Sequence, residues 1–451
     1  MIAEITQHPN FVSFNYNGRR MLYEKITSSI YRGEGVKINA LEKELQAQTY
    51  TPRYDPEPFI AFCNNKKIES IVLNVTEACN FRCKYCIYSG LYKGERTHSF
   101  KSMTLDTALK SLDVLLPHTS DLLVVSFYGG EPLLNFNLIK AVTEYLDKNL
   151  KGSSKKLVYS LTTNGSLLAR HLDFLIEKEF QIAVSIDGPK ALHDSRRVYA
   201  NSGKSFDDVY SNIELLISKH PEFSKTHLML MGTYLNESEL NSMINFFKNL
   251  EESIASIRLN YISTKNIEYL KSQNLNIQPV AFGTFLNLGL SFLNSFLNGN
   301  SSKTLENLFV ELINNFVYRD RSIAPQTITL LGSCCPGKRR VFINTDGKFY
   351  ACEKTSGKAL LGDMETGIDF QKSNQLIRKI ADIRNSVCKD CWAARICKVC
   401  LLDLKDENSL SQQALKTSCT AKKNRLLLGL LLFSHLLYNE GVKKWIDTHP
   451  V

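Results

Sequence analysis

Apolar, strand-like runs alternate with amphipathic helical runs between residues 68 and 265, and this pattern constrains the fold most strongly. Strands that alternate with helices form parallel sheets, because each helix carries the chain back across the sheet. Six such units predict an α/β fold, a partial (β/α)6 barrel with its chemistry at the carboxyl ends of the strands. The expected strands are 68–75, 122–127, 157–162, 181–186, 226–233 and 256–262. The expected helices are 104–115, 136–149, 167–178, 206–219 and 238–250.

The segments on either side of this core have different patterns. The N-terminal segment has a hairpin signal at Asn17-Gly18 and a helix near 39–47, and residues 275–318 have helical spacing of Phe and Leu. From about residue 330 the chain is rich in cysteine and turns, and it becomes helical after Cys419. These changes predict three domains: a small N-terminal module at 1–65, the barrel with a helical bridge at 66–320, and a cysteine-rich domain ending in a helix at 321–451.

Composition and charge favour an ordinary globular protein of the cytoplasm. The chain is 43% apolar and 22% charged, and its net charge of +10 is spread along the sequence. This charge does not predict nucleic-acid binding, but it suits an acidic peptide or an electron-donor protein. The start of the chain has no export signal, so clustered cysteines are expected to bind metals rather than form disulfides. The leucine-rich run 426–438 is shorter than the roughly 20 residues that span a bilayer, and it predicts a helix packed on the protein, with no membrane span.

Three cysteines, Cys79, Cys83 and Cys86, follow the first expected strand with C-x3-C-x2-C spacing. Three thiolates can hold three corners of a [4Fe–4S] cluster and leave the fourth iron without a protein ligand. Structural clusters are closed by four cysteines, so an open iron indicates that a small molecule binds there and receives an electron. The alternative interpretations are three ordinary loop cysteines or a zinc site that lacks one ligand.

With Tyr85 before the last cysteine and Gly129-Gly130-Glu131-Pro132 after the second strand, residues 68–265 resemble the radical S-adenosylmethionine (SAM) enzymes. The resemblance implies that SAM chelates the open iron and is cleaved to methionine and a 5′-deoxyadenosyl radical, which abstracts a hydrogen atom. The sequence assigns no catalytic residue beyond this cofactor chemistry. The implied SAM contacts are Gly129, Gly130, Glu131 and Pro132 at the amino group, Asn164 and Ser185 at the ribose and methionine, Arg196 or Arg197 at the carboxylate, Tyr85 beside the cluster, and 229–233 at the adenine.

Eight further cysteines lie late in the chain: Cys334, Cys335, Cys352, Cys388, Cys391, Cys397, Cys400 and Cys419. Four of them form two C-x2-C pairs that are too close together for a zinc ribbon, whose pairs stand about 15–20 residues apart. The pattern resembles the SPASM extension of radical SAM enzymes, which carries two auxiliary [4Fe–4S] clusters. The resemblance therefore implies three [4Fe–4S] clusters and SAM as cofactors.

The same resemblance implies how these cysteines are divided. Cys388, Cys391, Cys397 and Cys419 would close one auxiliary cluster, and Cys334 or Cys335, Cys352 and Cys400 would hold the other. Cys334 is preferred because Cys334-x-x-Gly337 matches the usual start of the motif. Either the spare cysteine or another side chain closes this second cluster, or an open iron of the cluster binds a substrate thiolate. Two residues lie between Cys397 and Cys400, whereas the family usually has three at this place in the motif. Cys63 is expected to be a free, buried cysteine.

The motif context resembles maturases of ribosomally made peptides, of the thioether-forming sactipeptide and ranthipeptide type. The expected function is therefore an oxidoreductase that forms an intramolecular cross-link, a cysteine thioether, in a precursor peptide with a leader. An electron donor such as flavodoxin or ferredoxin is expected, and residues 1–65 are expected to dock the leader through a strand edge or else to cap the barrel. The alternatives are a carbon–carbon cross-linking peptide cyclase, a formylglycine-generating sulfatase maturase, and a non-catalytic iron–sulfur redox protein, which would not need residues 129–132.

Overall fold

The computed structural model describes residues 2–48, 50–51, 53–90, 92, 96–262, 267–319, 321, 327–328, 330, 334–355, 359–406 and 409–450. The strands within these ranges are β1 Ile2–His8, β2 Phe11–Tyr16, β3 Arg19–Glu24, β4 Ile30–Gly33, β5 Arg53–Tyr54, β6 Ile68–Thr76, β7 Thr119–Gly129, β8 Lys156–Thr163, β9 Gln181–Ser185, β10 Leu228–Tyr234, β11 Ser256–Tyr261, β12 Thr327–Ile328, β13 Val341–Ile343, β14 Lys348–Tyr350, β15 Leu360–Asp363 and β16 Gly367–Ile368.

The helices are α1 Gly35–Ala47, α2 Glu57–Asn64, α3 Leu105–Leu115, α4 Phe136–Asn149, α5 Leu172–Glu177, α6 Lys190–Asp194, α7 Phe206–Lys219, α8 Pro221–His227, α9 Glu237–Lys248, α10 Ile267–Ser272, α11 Phe282–Leu297, α12 Lys303–Val317, α13 Phe370–Val387, α14 Leu401–Leu404, α15 Gln412–Tyr438 and α16 Val442–Thr448. Short 3-10 turns lie at Leu116–His118, Pro132–Asn135, Leu168–His171 and Glu251–Ser253.

Strands β6 to β11 form the parallel core that the sequence predicts. They neighbour one another in chain order, and every pairing between them is parallel. Some helices start at a capping side chain: the Thr104 side chain accepts a hydrogen bond from the Thr107 N–H, and Asn236 does the same for Glu239. The expected α/β fold is confirmed. Among the described strands the sheet stays open, because β11 ends it on one side.

The cysteine-rich part of the chain extends the same sheet beyond β6. Strand β13 pairs in parallel with β6, with Val341 opposite Ile71, and β14 to β16 continue the sheet by antiparallel pairing. These strands have two to four residues each, which is too short for an alternating pattern to reveal them. Strand β5 likewise pairs with β12. Contacts therefore cross the expected boundaries near 65 and 320, and the division into three domains stays a prediction.

The N-terminal sheet β1 to β4 lies between two helical layers. It is antiparallel and runs in chain order. Phe11 and Leu22 pack against Ile38 and Leu45 of α1 on one face. The opposite face buries Val12, Phe14, Tyr16, Met21 and Tyr23 against α11, α12 and α15. The hairpin at Asn17-Gly18 joins β2 to β3 as expected, and both residues have the positive φ that such a turn requires.

Helix α15 contains the leucine-rich run 426–438, and its residues 426–436 are buried in the protein. The expectation of a packed C-terminal helix is confirmed. His435 in this run is an ordinary core histidine, because its ring nitrogens lie 2.5 Å from the Tyr16 hydroxyl and 2.9 Å from Asn294 Oδ1.

None of the helices in the described part of the chain is both long enough and apolar enough to span a bilayer.

The expectations for Cys63 and Cys335 are wrong. Cys63 was expected to be free and Cys335 was a candidate cluster ligand, but the two form a disulfide. Helix α2 packs beside the loop that leads into β13, which brings the two Cα atoms to 5.7 Å across 272 residues of sequence. Tertiary contacts between such distant residues leave no signal in one sequence.

Candidate active site

The three-cysteine loop lies at the carboxyl end of β6, and the loop after β7 holds it in place. The Gly130 N–H donates to the Thr76 carbonyl and the Glu131 N–H donates to the Ala78 carbonyl, both at 2.8 Å. A Cβ atom on Gly130 would stand 2.2 Å from the Ala78 carbonyl oxygen. Glycine is therefore required here so that the two loops can touch. The close approach that we expected toward a ligand is made to the backbone in front of Cys79.

Glu131 joins the ends of β7 and β8. Its fully buried carboxylate accepts hydrogen bonds from the Thr163 hydroxyl at 2.7 Å, the Asn164 N–H at 2.7 Å and the Leu133 N–H at 3.1 Å. Burial raises the pKa of Glu131 to about 7, although these donors act in the opposite direction. The side chain thus orders the loop Gly129–Pro132, and Pro132 begins a 3-10 turn.

Asn164 connects the end of β8 to the cysteine loop. Its side-chain amide donates to Asn80 Oδ1 at 2.8 Å, and its carbonyl oxygen accepts from the Ser166 hydroxyl at 2.7 Å. Ser185 ends β9, is half-buried and lies opposite Met231 of β10. The structure therefore places both residues at the same edge of the sheet as the three cysteines.

Asp187 is the centre of a buried network that the sequence did not assign. Its Oδ2 atom accepts hydrogen bonds from the Tyr85 hydroxyl at 2.5 Å and from Arg196 Nε at 3.0 Å, and Arg197 Nε lies 3.2 Å away. Its Oδ1 atom accepts from the Thr233 N–H at 3.0 Å. Burial raises the pKa of Asp187, but the charges of Arg197 and Arg196 outweigh burial and hold it at about 2. The carboxylate therefore stays ionised and fixes both arginines.

The two arginines that the sequence could not separate have different surroundings. Arg196 is fully buried, and its guanidinium donates to Asp187, to Glu239 at 2.7 Å and to the Thr233 carbonyl. Arg197 has a nitrogen 3.9 Å from Cys83 Sγ. The guanidinium of Arg196 is therefore occupied by protein partners, whereas that of Arg197 lies beside the three-cysteine loop.

Four late cysteines lie near one another, and two of them, Cys388 and Cys397, lie beside a buried cation. Burial raises the pKa of Cys388 to about 12. The nearby Cys391, Cys397 and Cys419 also raise this pKa, and the charge of Arg384 lowers it. The fully buried Arg384 donates to the carbonyls of Ala394 and Cys397 at 3.1 and 3.0 Å, and its Nε and Nη1 atoms have no partner among the described residues. A buried cation with free donors beside thiols is a favourable setting for an anionic metal cluster.

A second group contains Cys334, Cys352 and Cys400. Burial raises the pKa of Cys334 to about 12, and the charges of Cys352 and Cys400 act in the same direction. Cys335 is withdrawn from this group by its bond to Cys63. The members of each set therefore lie near one another, and their assignment as cluster ligands stays a prediction. Within the described ranges, no three His, Cys, Asp or Glu side chains converge on a position for a single metal ion.

Residues 73–247 match the family model of the radical SAM superfamily. This part of the chain is therefore a radical SAM domain.

Curated relatives of this radical SAM protein are similar over part of its length. An uncharacterized protein of Methanocaldococcus jannaschii is 29% identical over 45% of this chain and 66% of its own. A cysteine-type anaerobic sulfatase-maturating enzyme of Clostridium novyi is 25% identical over 64% and 74%. The radical SAM cyclopropyl synthase TigE of Paramaledivibacter caminithermalis is 26% identical over 47% and 44%. Two of these three relatives are matched over less than two thirds of their length.

Solved structures share the fold of this radical SAM protein. Native anSMEcpe with bound AdoMet has a TM-score of 0.61 and 19% identity, over 82% of this chain and 99% of that one. SuiB of Streptococcus suis bound to the precursor peptide SuiA has a TM-score of 0.50 and 12% identity, over 91% and 99%.

The radical SAM family implies SAM and a [4Fe–4S] cluster, and the three-cysteine loop suits that cluster. Burial raises the pKa of Cys79 and Cys83 to about 12 and also raises that of Cys86, so the free thiols are protonated and iron binding must release their protons. The N–H groups of Phe81 and Tyr88 lie 3.4 Å from the sulfurs of Cys79 and Cys86. Such donors and the nearby Arg197 stabilise an anionic cluster.

Sequence reasoning missed Asp187 and Arg384 as residues that organise the site. Asp187 follows β9 within Asp187-Gly188, and a polar residue at the carboxyl end of a parallel strand is a usable signal. Arg384 lies within α13, a helix that the sequence analysis did not predict, and only the fold reveals its contact with the Cys397 carbonyl.

Proposed function

We propose that this radical SAM enzyme is a maturase that forms an intramolecular cysteine thioether in a ribosomally made precursor peptide. The proposal includes three [4Fe–4S] clusters, an electron donor such as flavodoxin or ferredoxin, and an anoxic, cytoplasmic setting. It also includes SAM contacts at Gly129 to Pro132, Asn164 and Ser185, with Arg197 rather than Arg196 at the SAM carboxylate. Support for peptide chemistry comes from the fold shared with SuiB, whose structure contains a precursor peptide.

One observation carries the thioether assignment. Cys334, Cys352 and Cys400 lie together, while Cys335, the nearest spare cysteine, is bonded to Cys63. A [4Fe–4S] cluster has four irons to ligate, so three protein cysteines leave one position for a thiolate of the substrate. A peptide cysteine held there would be fixed beside the carbon that it attacks.

The hydrogen atom, the proton and the electron of the proposed reaction are all accounted for by the groups already named. Cys79, Cys83 and Cys86 would hold the cluster, and bound SAM would supply a 5′-deoxyadenosyl radical to remove one hydrogen atom from a carbon of the peptide. The peptide cysteine loses its proton when it becomes a thiolate. Formation of the C–S bond would release one electron, and clusters held by the late cysteines would accept it. The product has lost two hydrogen atoms and has kept its sulfur.

The N-terminal sheet supports a docking role for residues 1–65. Strands β1 and β4 are its edges, and each pairs with a described strand on one side only. Five of the seven residues of β1 are exposed, as are the two central residues of β4. An exposed edge offers backbone donors and acceptors to an extended leader segment. The three-domain division remains part of this proposal.

A formylglycine-generating reaction is the second candidate. A cysteine-type anaerobic sulfatase-maturating enzyme is 25% identical over 64% of this chain, and anSMEcpe has the same fold. Both candidates begin with a hydrogen atom removed from the substrate, but only the second yields an aldehyde and loses the cysteine sulfur.

The experiment is co-expression with a cysteine-bearing precursor peptide encoded beside this chain, followed by mass spectrometry. We expect a loss of two hydrogen atoms, a blocked thiol and no aldehyde. An aldehyde that reacts with hydrazide would identify the second candidate. Purified protein reduced with SAM should also form 5′-deoxyadenosine, and none above background would exclude the enzyme proposal. Cys352→Ala should still cleave SAM but form no cross-link, whereas Cys83→Ala should do neither.

A further inference from the structure

A large cleft lies beside β11, the last strand of the parallel core. Its volume is about 1260 Å3, above the roughly 300–1,000 Å3 of most small-molecule sites. Helices α11, α12 and α15 and the loop at residues 395–398 form its other walls. Tyr234 and Tyr261, the last residues of β10 and β11, line it. The cleft therefore opens at the end of the sheet that carries the three-cysteine loop.

Positive charge dominates the lining of the cleft. Five cations face it, Arg258, Arg319, Arg395, Lys398 and Arg425, against the single carboxylate of Glu311. The distance from Glu311 to Lys398 Nζ is 4.0 Å. Arg319 donates to the carbonyls of Ser28 and Phe316, and Arg395 donates to the carbonyl of Ile26. The carbonyl partners of Arg319 do not neutralise its charge.

Arg258 and Arg425 are the two cations of the cleft that are free to meet a ligand. Both are exposed, and neither makes a hydrogen bond or an ion pair with the residues that the structure describes. They stand on different walls, Arg258 on β11 and Arg425 on α15. Arg425 lies close enough to Tyr234 for its charge to oppose the rise that burial causes in the tyrosine pKa. A ligand in the cleft would therefore meet positive charge from two sides.

The walls also suit a polypeptide. Strand β11 ends the sheet, so its outer edge pairs with no described strand, and residues 258–261 of this strand line the cleft. A strand edge bonds to the backbone of another peptide. Tyr261, Phe282 and Phe285 add aromatic surface for apolar side chains.

We propose that this cleft binds an acidic peptide segment of the substrate, whose carboxylates meet Arg258 and Arg425 and whose backbone lies along β11. This inference rests on the proposed peptide maturase and adds the charge of its substrate. Opposed charges across an interface chiefly raise the rate of association and select the partner. A nucleic acid would satisfy the cations but not the strand edge, so we infer a peptide.

Fluorescence anisotropy with the reconstituted protein, without SAM, tests this proposal. The probes are a labelled peptide in which Glu alternates with Val, and matched peptides with Gln or Lys in place of Glu. We expect the Glu peptide to bind, with an affinity that falls as salt rises, and the Lys peptide not to bind. Arg258→Gln combined with Arg425→Gln should weaken binding of the Glu peptide about tenfold.

The matched control is Lys151→Gln combined with Lys219→Gln. Both lysines are exposed, and they lie ahead of β8 and β10 at the opposite end of the sheet. This variant changes the net charge equally and should bind the Glu peptide like the wild type. Equal weakening by both double variants would overturn the proposal, because only the overall charge would then matter.

Two further outcomes decide the identity of the ligand. A Glu peptide with alternate backbone N-methyl groups keeps its charge but cannot pair with β11, and we expect it to bind at least about tenfold more weakly. Equal binding of the Gln and Glu peptides, or displacement of the Glu peptide by RNA at equal charge, would overturn the proposal. The outcome is separate from that of the proposed reaction, because binding is measured without SAM and without turnover.

Discussion

The two cysteine regions of this molecule are built in different ways. Cys79, Cys83 and Cys86 share one loop, and neighbouring strand ends fix that loop through backbone hydrogen bonds such as Gly130 N–H to the Thr76 carbonyl at 2.8 Å. The late cysteines come from separate segments between Cys334 and Cys419, and distant parts of the chain bring them together. One such part is β5, whose Tyr54 hydroxyl donates to the Ala394 carbonyl at 2.8 Å.

This difference shows when the spacing of cysteines in a motif is enough to predict which of them lie together. Where all ligands share one loop, their spacing alone predicts the geometry, because the strand before the loop fixes its position. Where ligands come from several segments, the ligand set depends on tertiary contacts. The pairing of Cys335 with Cys63 is the clearest case, since it removes one of two adjacent candidates.

Loss of one early cysteine should have the largest effect. Cys83→Ala should remove the cluster that binds SAM and reduce 5′-deoxyadenosine to background, because the loop has no fourth cysteine to replace the lost ligand. Cys400→Ala should leave 5′-deoxyadenosine formation near the wild-type level. Liquid chromatography of reduced reactions measures both. Comparable loss in the two variants would show that the regions are not functionally separate.

The second largest effect should be the change in unfolding free energy with pH that Glu131 causes. The pKa of Glu131 is raised from 4.5 to about 7 in the folded protein, so the folded state holds this proton more tightly than the unfolded state. The resulting stability is fully present below about pH 4.5 and is lost as the pH rises through about 7, with a change of about 3 kcal/mol in unfolding free energy.

Urea unfolding across this pH range measures the effect. Glu131→Gln should remove most of the pH dependence between about pH 5 and about pH 8, and it keeps an acceptor for Thr163. The control is Glu214→Gln, at an exposed position on α7. If Glu131→Gln and the wild type had the same slope, the assignment of this proton to Glu131 would be wrong.

The contact between the early loops predicts a smaller loss of stability. Gly130→Ala would force a Cβ to within 2.2 Å of the Ala78 carbonyl oxygen, and such overpacking costs about 1–3 kcal/mol. The iron content of the early cluster should fall with it. Gly283→Ala is the matched control, because a Cβ there meets nothing within 4 Å. Unfolding midpoints and iron analysis of both variants test this, and equal behaviour would contradict it.

In the late region, Arg384→Gln should act on one auxiliary cluster only. Loss of the buried cation beside Cys388 and Cys397 should lower the reduction potential of that cluster by an amount on the order of tens of millivolts. The matched control is Arg378→Gln, on the exposed side of α13, where Arg378 pairs with Glu57 at 2.9 Å. Potentiometric titration followed by electron paramagnetic resonance would show the shift. An unchanged reduction potential in Arg384→Gln would show that Arg384 does not act on the cluster.

The smallest effect is expected for Cys335→Ala, and comparison with Cys334→Ala tells which of the two adjacent cysteines binds iron. Cys335→Ala should leave the iron content unchanged, because Cys335 is bonded to Cys63 and is not needed as a ligand. Cys334→Ala should remove one auxiliary cluster. If the Cys335 variant lost iron and the Cys334 variant did not, the ligand assignment would have to be reversed.

Much of the parallel core was predictable from sequence, and much of the late region was not. Helices 136–149 and 206–219 were expected with their observed bounds, because each is strongly amphipathic over several turns. Strand β13 was not expected, since three residues give no periodic pattern. Helix α13 was missed, although its apolar face follows the same rule. At the site, Asp187 had a strand-end signal and Arg197 was indicated by the family resemblance, whereas the Cys63–Cys335 pair had no signal.

The most direct test is electron–nuclear double resonance of the reduced protein with SAM that is isotopically labelled at its amino nitrogen. We predict a coupling between this nitrogen and a cluster in the wild-type protein, and no coupling in Cys83→Ala, whose late cysteines are intact. A coupling that persists in Cys83→Ala would place the open, SAM-binding iron among the late cysteines. No coupling in the wild type would contradict an open iron at the three-cysteine loop.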